Sequence, residues 1–259
     1  MGVRHQPKEQ GFTIIEVVLF VAITGLLAAA LLSGWTAMIN TQRYKDSTRT
    51  LQSFLQQQYN LVYNVENGRL QDLSCTLQGA NLVIDDTSAT NTPRGQSPCV
   101  VMGRYVQIQD GTKVSVKSIV GYLNGTDTTN TDIESIRLYN PQRVDFELGL
   151  SDNELDIPWQ AAVVGTNDST PKDYAIVIIR SPKTGIVHTY TKDTTGQTLG
   201  LSDIIDASNE NTDVNLCLDP GVPFASGRLG VVIDAYASAQ SSVRMITDGT
   251  TVCPGGNGA

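Results

Sequence analysis

Histidine is scarce in this sequence, and its scarcity limits the catalytic chemistry that the chain can support. The 259 residues include two histidines, His5 and His188. A Ser/His/Asp or Cys/His arrangement would have to use one of them, and His188 stands in the alternating segment GIVHTYTK, which is typical of an ordinary strand. The sequence also lacks a P-loop, a G-x-S-x-G elbow and a dinucleotide-binding fingerprint. We therefore expect a protein that is not an enzyme, and we assign it no cofactor.

Basic residues are few relative to acidic ones. The chain has 18 lysines and arginines against 26 aspartates and glutamates, which gives a formal net charge of −8. Generic nucleic-acid binding depends on clustered cations that neutralise phosphates. The acidic balance therefore does not support nucleic acid as a partner, although a local basic strip could still bind it.

Cysteine is limited to four residues, and none belongs to a C-x-x-C pair. Cys75, Cys99, Cys217 and Cys253 allow three disulfide connectivities. The two local pairings, Cys75–Cys99 and Cys217–Cys253, close loops long enough for each bond to stabilise the fold in an oxidising compartment. Four free thiols in a reducing compartment are the alternative. Neither the spacing nor a neighbouring histidine supports a zinc site.

Proline is absent between Pro7 and Pro93. Since proline is the strongest interrupter of a helix, this interval permits one long helix, predicted from Phe12 to about Asn64, where turn residues follow. At 1.5 Å per residue this helix would be roughly 80 Å long.

The second half of the predicted helix is amphipathic, with apolar and small polar residues at alternating steps of four and three. The stripe that would pack on a globular domain consists of Tyr44, Thr48, Leu51, Leu55, Gln58 and Val62. The side chains predicted to face outward are Arg43, Lys45, Arg49 and Gln56.

The first half of the helix is an apolar run from Phe12 to Leu32, interrupted by one carboxylate, Glu16. About 20 apolar residues can cross a bilayer as a helix, but an ionised carboxylate among them costs on the order of 3 kcal/mol or more. Glu16 therefore needs a partner. Three interpretations compete: a secretory signal cut near Ala28-Ala29-Ala30, a plain uncleaved anchor, and a processed anchor in which Glu16 has a function.

The segment KEQGFTIIEVVLF resembles the class III signal of type IV pilins and type II secretion pseudopilins. Precursors of that family are cut between a Gly and a Phe, and a Glu follows at the fifth mature position. Gly11, Phe12 and Glu16 match this pattern. The resemblance is detailed from Lys8 to roughly Met38 and concerns only the general layout beyond that point.

The resemblance implies that a membrane prepilin peptidase cuts after Gly11 and methylates the new amine of Phe12. Glu16 would then meet the Phe12 ammonium of a neighbouring subunit, and their attraction at low dielectric would select a staggered packing of helices. Other pilin or pseudopilin subunits and an inner-membrane assembly platform are the implied partners. Leader removal would leave His188 as the only histidine of the mature chain.

Two features set the chain apart from many major pilins. Ser33 and Gly34 stand in the region where many major pilins have a proline. The mature chain would also be longer than most major subunits, which indicates a minor pilin or minor pseudopilin. Glu16 argues against the tip pseudopilin, the member that characteristically lacks this residue.

Beyond Leu70 the sequence changes to short β-rich runs separated by turn residues, which predicts antiparallel sheet. The predicted strands are Asn81–Ile84, Val100–Gln109, Val114–Leu123, Ile133–Tyr139, Val144–Leu148, Ala161–Val164, Tyr174–Arg180, Ile186–Tyr190, Asn215–Leu218 and Leu229–Tyr236. The turn residues of Gln109–Thr112 and Pro182–Gly185 predict hairpins.

Two polar loops, Asn124–Asp132 and Asp203–Asp213, carry carboxylates, and we call them the acidic loops. The second contains enough oxygen ligands for calcium by count alone, and the first offers a smaller set, Asp127, Asn130 and Asp132. Calcium needs about six to eight oxygens that converge on one point, and neither loop matches an EF-hand. A solvated acidic loop explains the same residues, so we assign no metal.

The predicted fold class is α+β: a long N-terminal helix, transmembrane and then amphipathic, packed on a mainly antiparallel, pilin-like domain. We divide the chain into a leader (1–11), a transmembrane and filament-core helix (12–33), its exposed continuation (34–66) and an extracytoplasmic globular domain (67–259). The expected function is that of a minor subunit of a type IV pilus-like filament, held in the cytoplasmic membrane before assembly. The alternative is a stand-alone membrane-anchored binding or adhesion protein, in which Glu16 would be incidental.

Overall fold

The computed structural model of this chain describes residue 11 and residues 13–64, 74–78, 81–85, 99–123, 125–144, 154–167, 169–221, 228–246 and 252–253. These residues form an α+β fold in which a long N-terminal helix precedes antiparallel sheets, as predicted. Residues 1–10 of the leader, Phe12 and the tail that follows Cys253 lie outside the described residues, as do residues 145–148 of one predicted strand.

Helix α1 spans Ile14–Tyr63, 50 residues without a break. It is about 75 Å long and ends beside the predicted stop at Asn64. All six residues of the predicted stripe are buried, so the helix packs on the domain through the expected face. The prediction for Gln56 is wrong: its side chain is half-buried and donates a hydrogen bond of 2.9 Å to the carbonyl of Val243, because a strand lies along that side of the helix.

Within the described residues, α1 is followed by twelve strands and two short α-helices. The strands are β1 (Ser74–Gln78), β2 (Asn81–Asp85), β3 (Cys99–Gln109), β4 (Lys113–Tyr122), β5 (Gln142–Val144), β6 (Glu154–Asp156), β7 (Ala162–Val164), β8 (Tyr174–Arg180), β9 (Val187–Asp193), β10 (Val214–Asp219), β11 (Gly230–Ile233) and β12 (Val243–Ile246). The helices are α2 (Asp132–Leu138) and α3 (Leu201–Ile204), and 3-10 turns occur at Ala207–Asn209 and Gln240–Ser242.

The described strands form three antiparallel sheets. Strands β1 and β2 make a hairpin, β5-β4-β3-β8-β9 form a sheet in which β6 also pairs with β4, and β12-β11-β10-β7 form a second sheet. The predicted turn Gln109–Thr112 joins β3 to β4, whose end residues Gln109 and Lys113 pair across a three-residue connection. The Thr112 N–H donates to the Gln109 carbonyl at 3.1 Å, and Asp110 and Gly111 have φ values of 50° and 65°, positive as at the central residues of a type I′ turn. The predicted turn Pro182–Gly185 likewise joins β8 to β9.

Helix α1 covers one face of both larger sheets, which meet it in one apolar core. Leu51, Leu55 and Tyr59 of the helix are almost fully buried there. The sheet residues of this core include Val106, Ile176 and Ile178 from the six-stranded sheet and Leu216, Val231 and Val243 from the four-stranded sheet. The helix therefore holds the two sheets together.

Helices α2 and α3 cover the opposite face of the six-stranded sheet. Ile136 of α2 and Ile204 of α3 are fully buried in a second core with Val177 and Tyr190. Strand β8 is consequently buried on both faces, which accounts for its uninterrupted apolar sequence, YAIVII.

The strand predicted at Ile133–Tyr139 is wrong, because this segment forms α2. Thr131 is the N-cap residue: its hydroxyl accepts from the Glu134 N–H at 3.3 Å, and Glu134 accepts from the Thr131 N–H at 3.2 Å. This reciprocal pair is a capping box, and it favours a helix whose apolar side faces the sheet.

The other predicted strands within the described residues overlap observed ones. Eight of them agree to within three residues at each end, namely those corresponding to β2, β3, β4, β7, β8, β9, β10 and β11. Strands β1, β6 and β12 have no predicted counterpart. Strands β6 and β12 contain three and four residues, too few for a periodic signal, and β1 reads SCTLQ, which is largely polar.

Tyr44 links α1 to the four-stranded sheet. Its hydroxyl donates to the Leu218 carbonyl at 2.6 Å and accepts from the Leu229 N–H at 2.7 Å. Burial raises the pKa of Tyr44 to about 12, so the hydroxyl keeps its proton over the whole physiological range.

We expect Tyr44→Phe to lower the free energy of unfolding by about 1–3 kcal/mol, because it leaves two backbone groups without their hydrogen-bond partner. Tyr63→Phe is the matched control, since Tyr63 lies on the same helix and is 65% exposed; it should change that free energy by less than about 0.5 kcal/mol. Urea denaturation of the purified protein in detergent measures both. Equal losses would contradict a structural role for the Tyr44 hydroxyl.

Candidate functional site

The first turn of α1 contains the carboxylate that the sequence singles out. Thr13 is the N-cap residue, and Glu16 follows in the first turn of the helix. One oxygen of Glu16 accepts hydrogen bonds from the N–H and the hydroxyl of Thr13, each at 3.2 Å. The partial positive charge of the helix N-terminus also favours a carboxylate at this place. Glu16 therefore has a partner within its own chain, at the exposed end of the helix.

The apolar half of α1 is uncovered. Every side chain from Ile14 to Leu32 is exposed. The most apolar stretch of the helix has a mean hydropathy of 2.6 and no buried residue, and α1 is long and apolar enough to cross a membrane. An apolar surface of this size marks a contact with lipid or with other protein.

The family model of the prokaryotic N-terminal methylation motif matches residues 6–32. This chain carries a type IV pilin signal. The match includes Gly11, Phe12 and Glu16 and ends with the apolar run, so it does not extend into the globular domain. The chain has no significant match among curated proteins or among solved structures.

Together with the long apolar helix, the type IV pilin signal supports a pilin-like processed precursor. It implies cleavage by a prepilin peptidase and assembly with other pilins in general. It points to a structural protein rather than an enzyme. One apolar N-terminal helix is consistent with the single-pass anchoring typical of pilins.

The predicted processing and assembly residues lie at the start of α1. Gly11 is exposed and Glu16 sits in the first helical turn, whereas Phe12 lies outside the described residues. The contact between Glu16 and the Phe12 ammonium of a neighbouring subunit therefore stays a prediction.

The described cysteines are bonded. Cys217 on β10 forms a disulfide with Cys253, with Cα atoms 5.7 Å apart and a sequence separation of 36. This is one of the two local pairings expected. Cys99, the first residue of β3, is also disulfide-bonded. The side chain of Cys75 lies outside the described part of the chain, so the pairing Cys75–Cys99 stays a prediction.

A second group of ionisable side chains surrounds His188 on the edge strand β9. Its Nδ1 lies 2.7 Å from Oε1 of Glu210, and its Nε2 lies 3.1 Å from Oδ2 of Asp132. Asp132 ends the first acidic loop and Glu210 belongs to the second. The imidazole therefore links both loops to the sheet, and the three side chains are only 14–18% exposed.

The electrostatics of this group favour a charged imidazolium. The hydrogen bond to Glu210 raises the pKa of His188 above its ordinary value, and the contact with Asp132 adds to this against the opposing effect of burial. Burial by itself would raise the pKa of Asp132, but hydrogen bonds from Thr184, His188 and Ser181 outweigh it and hold that pKa below its ordinary value.

Such a group can act as a structural link but not as a general base, because both ring nitrogens already face a carboxylate. It is equally unsuited to a metal, since the imidazole lies between the two carboxylates and the donors do not converge on one point. In the described part of the chain no cluster of His, Cys, Asp and Glu has the arrangement of a metal site. The prediction of His188 as a strand residue is confirmed, but no local sequence pattern indicated its two partners.

The remaining carboxylates of the two acidic loops serve internal contacts. Asp206 pairs with Arg137 at 3.3 Å, Asp213 accepts from the Ala235 N–H at 2.7 Å, and Asp127 accepts from Thr129. The loops are therefore held to neighbouring elements by their own acidic residues.

We expect the His188 link to stabilise the fold in a pH-dependent way. Because its pKa is raised on folding above the reference value of 6.5, its contribution is fully present below about pH 6.5 and is lost as the pH rises through the folded-state pKa. The contribution of Asp132, whose pKa is lowered, is lost instead as the pH falls through its folded-state pKa.

An NMR titration of a chain that starts at Phe12 checks this directly, because His188 is then its only histidine. The midpoint should lie above 6.5. Glu210→Gln keeps a hydrogen-bonding side chain while removing the charge, and it should lower that midpoint. A midpoint at or below the reference value in the unaltered protein would show that the two carboxylates do not hold a charged ring.

Proposed function

We propose that this chain is a minor pilin or pseudopilin, a structural subunit of a type IV pilus-like filament. The observation that carries the proposal is the type IV pilin signal on a 50-residue helix whose apolar half is uncovered and whose second half is built into a domain. Residues 1–11 are the leader, 12–33 the membrane and filament-core helix, 34–66 its exposed continuation and 67–259 the extracytoplasmic domain.

Before assembly, the apolar half of α1 holds the subunit in the cytoplasmic membrane. Arg4 and Lys8 precede the apolar run and favour a cytoplasmic leader by the positive-inside tendency, which leaves the globular domain outside. During assembly by the inner-membrane platform the same surface passes from lipid to the helices of neighbouring subunits. Lipid tails are about as apolar as leucine, so burial of apolar area alone does not decide how these helices align.

Glu16 supplies the missing specificity. Its partners within the chain are the neutral donors of Thr13. The ammonium group of Phe12 from a neighbouring subunit would add a charge-assisted hydrogen bond, a type that contributes about 1.5–3 kcal/mol. Only helices offset by the right stagger bring these two groups together, so the pair selects one register.

Processing is tested by the mass and N-terminal residue of the protein purified from membranes of a host with a prepilin peptidase. We expect a chain that starts at Phe12 and carries one additional methyl group. Gly11→Val is the control, since the bulky side chain at the cleavage site should leave Met1 in place. An intact Met1 in the unaltered protein would favour a plain anchor, and a start near Leu31 would favour a secreted protein.

Assembly is tested by Glu16→Ala, which should abolish incorporation into sheared filaments because it removes the carboxylate that pairs with the neighbouring ammonium. Membrane insertion should stay intact, because the substitution makes the span more apolar. Asp46→Ala is the matched control, an acidic residue exposed on the same helix far from the first turn. Glu16→Gln separates charge from hydrogen bonding and should also fail to assemble. Normal incorporation of either Glu16 variant would contradict pairing with a neighbouring ammonium.

A further inference from the structure

The base of the globular domain presents an aromatic and cationic surface beside α1. A cleft of about 200 Å³ opens between the helix and two loops of the domain. It is lined by Asn40, Arg43, Tyr44, Trp159, Gln160 and Pro220. We call this surface the Trp159 patch.

Trp159 is held outward by its neighbours in the chain. The residues that flank its turn, Ile157 and Ala161, are buried at 6% and 1% exposure, whereas Trp159 itself is 51% exposed. Trp159 and Gln160 both adopt left-handed backbone conformations, with φ values of 64° and 60°, which bulky residues rarely do. A fixed turn thus places the indole ring in the solvent instead of the core.

Arg43 completes the patch from the helix side. Its guanidinium lies over the Trp159 ring, 4.7 Å from the centroid. Among the described residues no carboxylate forms an ion pair with Arg43. The patch therefore combines an exposed aromatic ring with a cation that has room for an anionic partner, on a chain that is acidic overall.

The patch lies just beyond the apolar surface of α1. Exposed apolar side chains continue along the helix past Trp35 to Ile39, and the Thr36 hydroxyl is bonded back to the Leu32 carbonyl at 3.0 Å. Arg43 is one helical turn further, or about 6 Å. The headgroup layer on each side of a bilayer is about 5–8 Å thick, and helical side chains tilt back toward the N-terminus. A hydrocarbon core that begins at Val17, just past Glu16, reaches Ile39 after about 33 Å of helix, which fits a core of about 30 Å when the helix is modestly tilted. In this position the span extends past the boundary at residue 33, and the headgroup layer lies at the patch.

We propose that Trp159 and Arg43 bind the phospholipid headgroup layer of the membrane in which α1 is anchored. The indole ring occupies the interface, where its apolar body and polar N–H are both satisfied. The guanidinium pairs with lipid phosphates, whose geometry it matches. This contact fixes the orientation of the globular domain on the bilayer before assembly. The inference rests on the membrane anchoring described under the proposed function.

The two tryptophans of the chain, Trp35 and Trp159, allow a direct test with the full-length protein in phosphatidylcholine vesicles. Trp35→Phe leaves Trp159 as the only indole, and Trp159→Phe leaves Trp35. Fluorescence quenching is measured with nitroxide labels on the lipid headgroup or near the bilayer centre. We expect Trp159 to be quenched by the headgroup label and far less by the deep label, with a blue-shifted emission relative to the denatured protein.

A Tyr236→Trp variant without the two native tryptophans is the matched control. Tyr236 is 65% exposed with φ of 53°, and it precedes Gln240, which accepts a hydrogen bond from Asn60, about 25 Å further along α1 than Arg43. This indole should not be quenched by either label.

The outcomes separate the inference from the anchoring on which it rests. If neither label quenches Trp35 in the Trp159→Phe variant, the anchoring itself is overturned. If Trp35 is quenched but the headgroup label does not quench Trp159, the inference alone is overturned. If the emission of Trp159 is also blue-shifted in that case, protein and not lipid covers the patch.

Arg43→Gln should reduce quenching of Trp159 by the headgroup label. Arg49→Gln, which changes an exposed arginine on the same helix, should not. Equal effects would rule out a specific contact of Arg43 with the phosphates.

Discussion

The unbroken hydrogen-bond ladder of α1 is the constraint on which the rest of the structure depends. Because a helix satisfies its own backbone groups, one backbone can pass from an apolar surrounding into a folded domain without leaving polar groups unpaired. Only the side chains change along its length, from an uncovered apolar surface before Leu32 to a buried stripe that begins at Tyr44. The two larger sheets share their core through this stripe, so an interruption of α1 would separate them from each other as well as from the apolar half of the helix.

The side of the domain away from α1 is organised by short helices and by charge. Helices α2 and α3 close the second core over β8, and His188 joins the loops that precede and follow them. An imidazole held between two carboxylates gives this polar edge a defined arrangement without an apolar contact. The acidic loops are thus part of the folded framework.

Sequence periodicity predicted the elements whose burial follows a regular repeat. The stripe of α1 and the strands β3, β4 and β8 carry clear periods or continuous apolar runs, and they were placed correctly. Helix α2 was not, because its start is set by a capping box between Thr131 and Glu134 that competes with a β-like composition. The link between His188, Asp132 and Glu210 joins residues far apart in sequence, and no local pattern reports such a contact. Residues 11 to 16 were recognisable because their signal is local.

The disulfide between Cys217 and Cys253 has a mechanical consequence. The hydroxyl of Tyr44 connects α1 directly to the carbonyl of Leu218, the residue next to Cys217 on β10. Strands β11 and β12 lie inside the covalent loop that this disulfide closes. Force applied through the helix therefore acts on β10 near the start of the loop that the disulfide closes. While that bond is intact, β11 and β12 cannot be extended away from the domain one after the other. The domain resists unravelling from its C-terminal end for as long as that one covalent bond is intact.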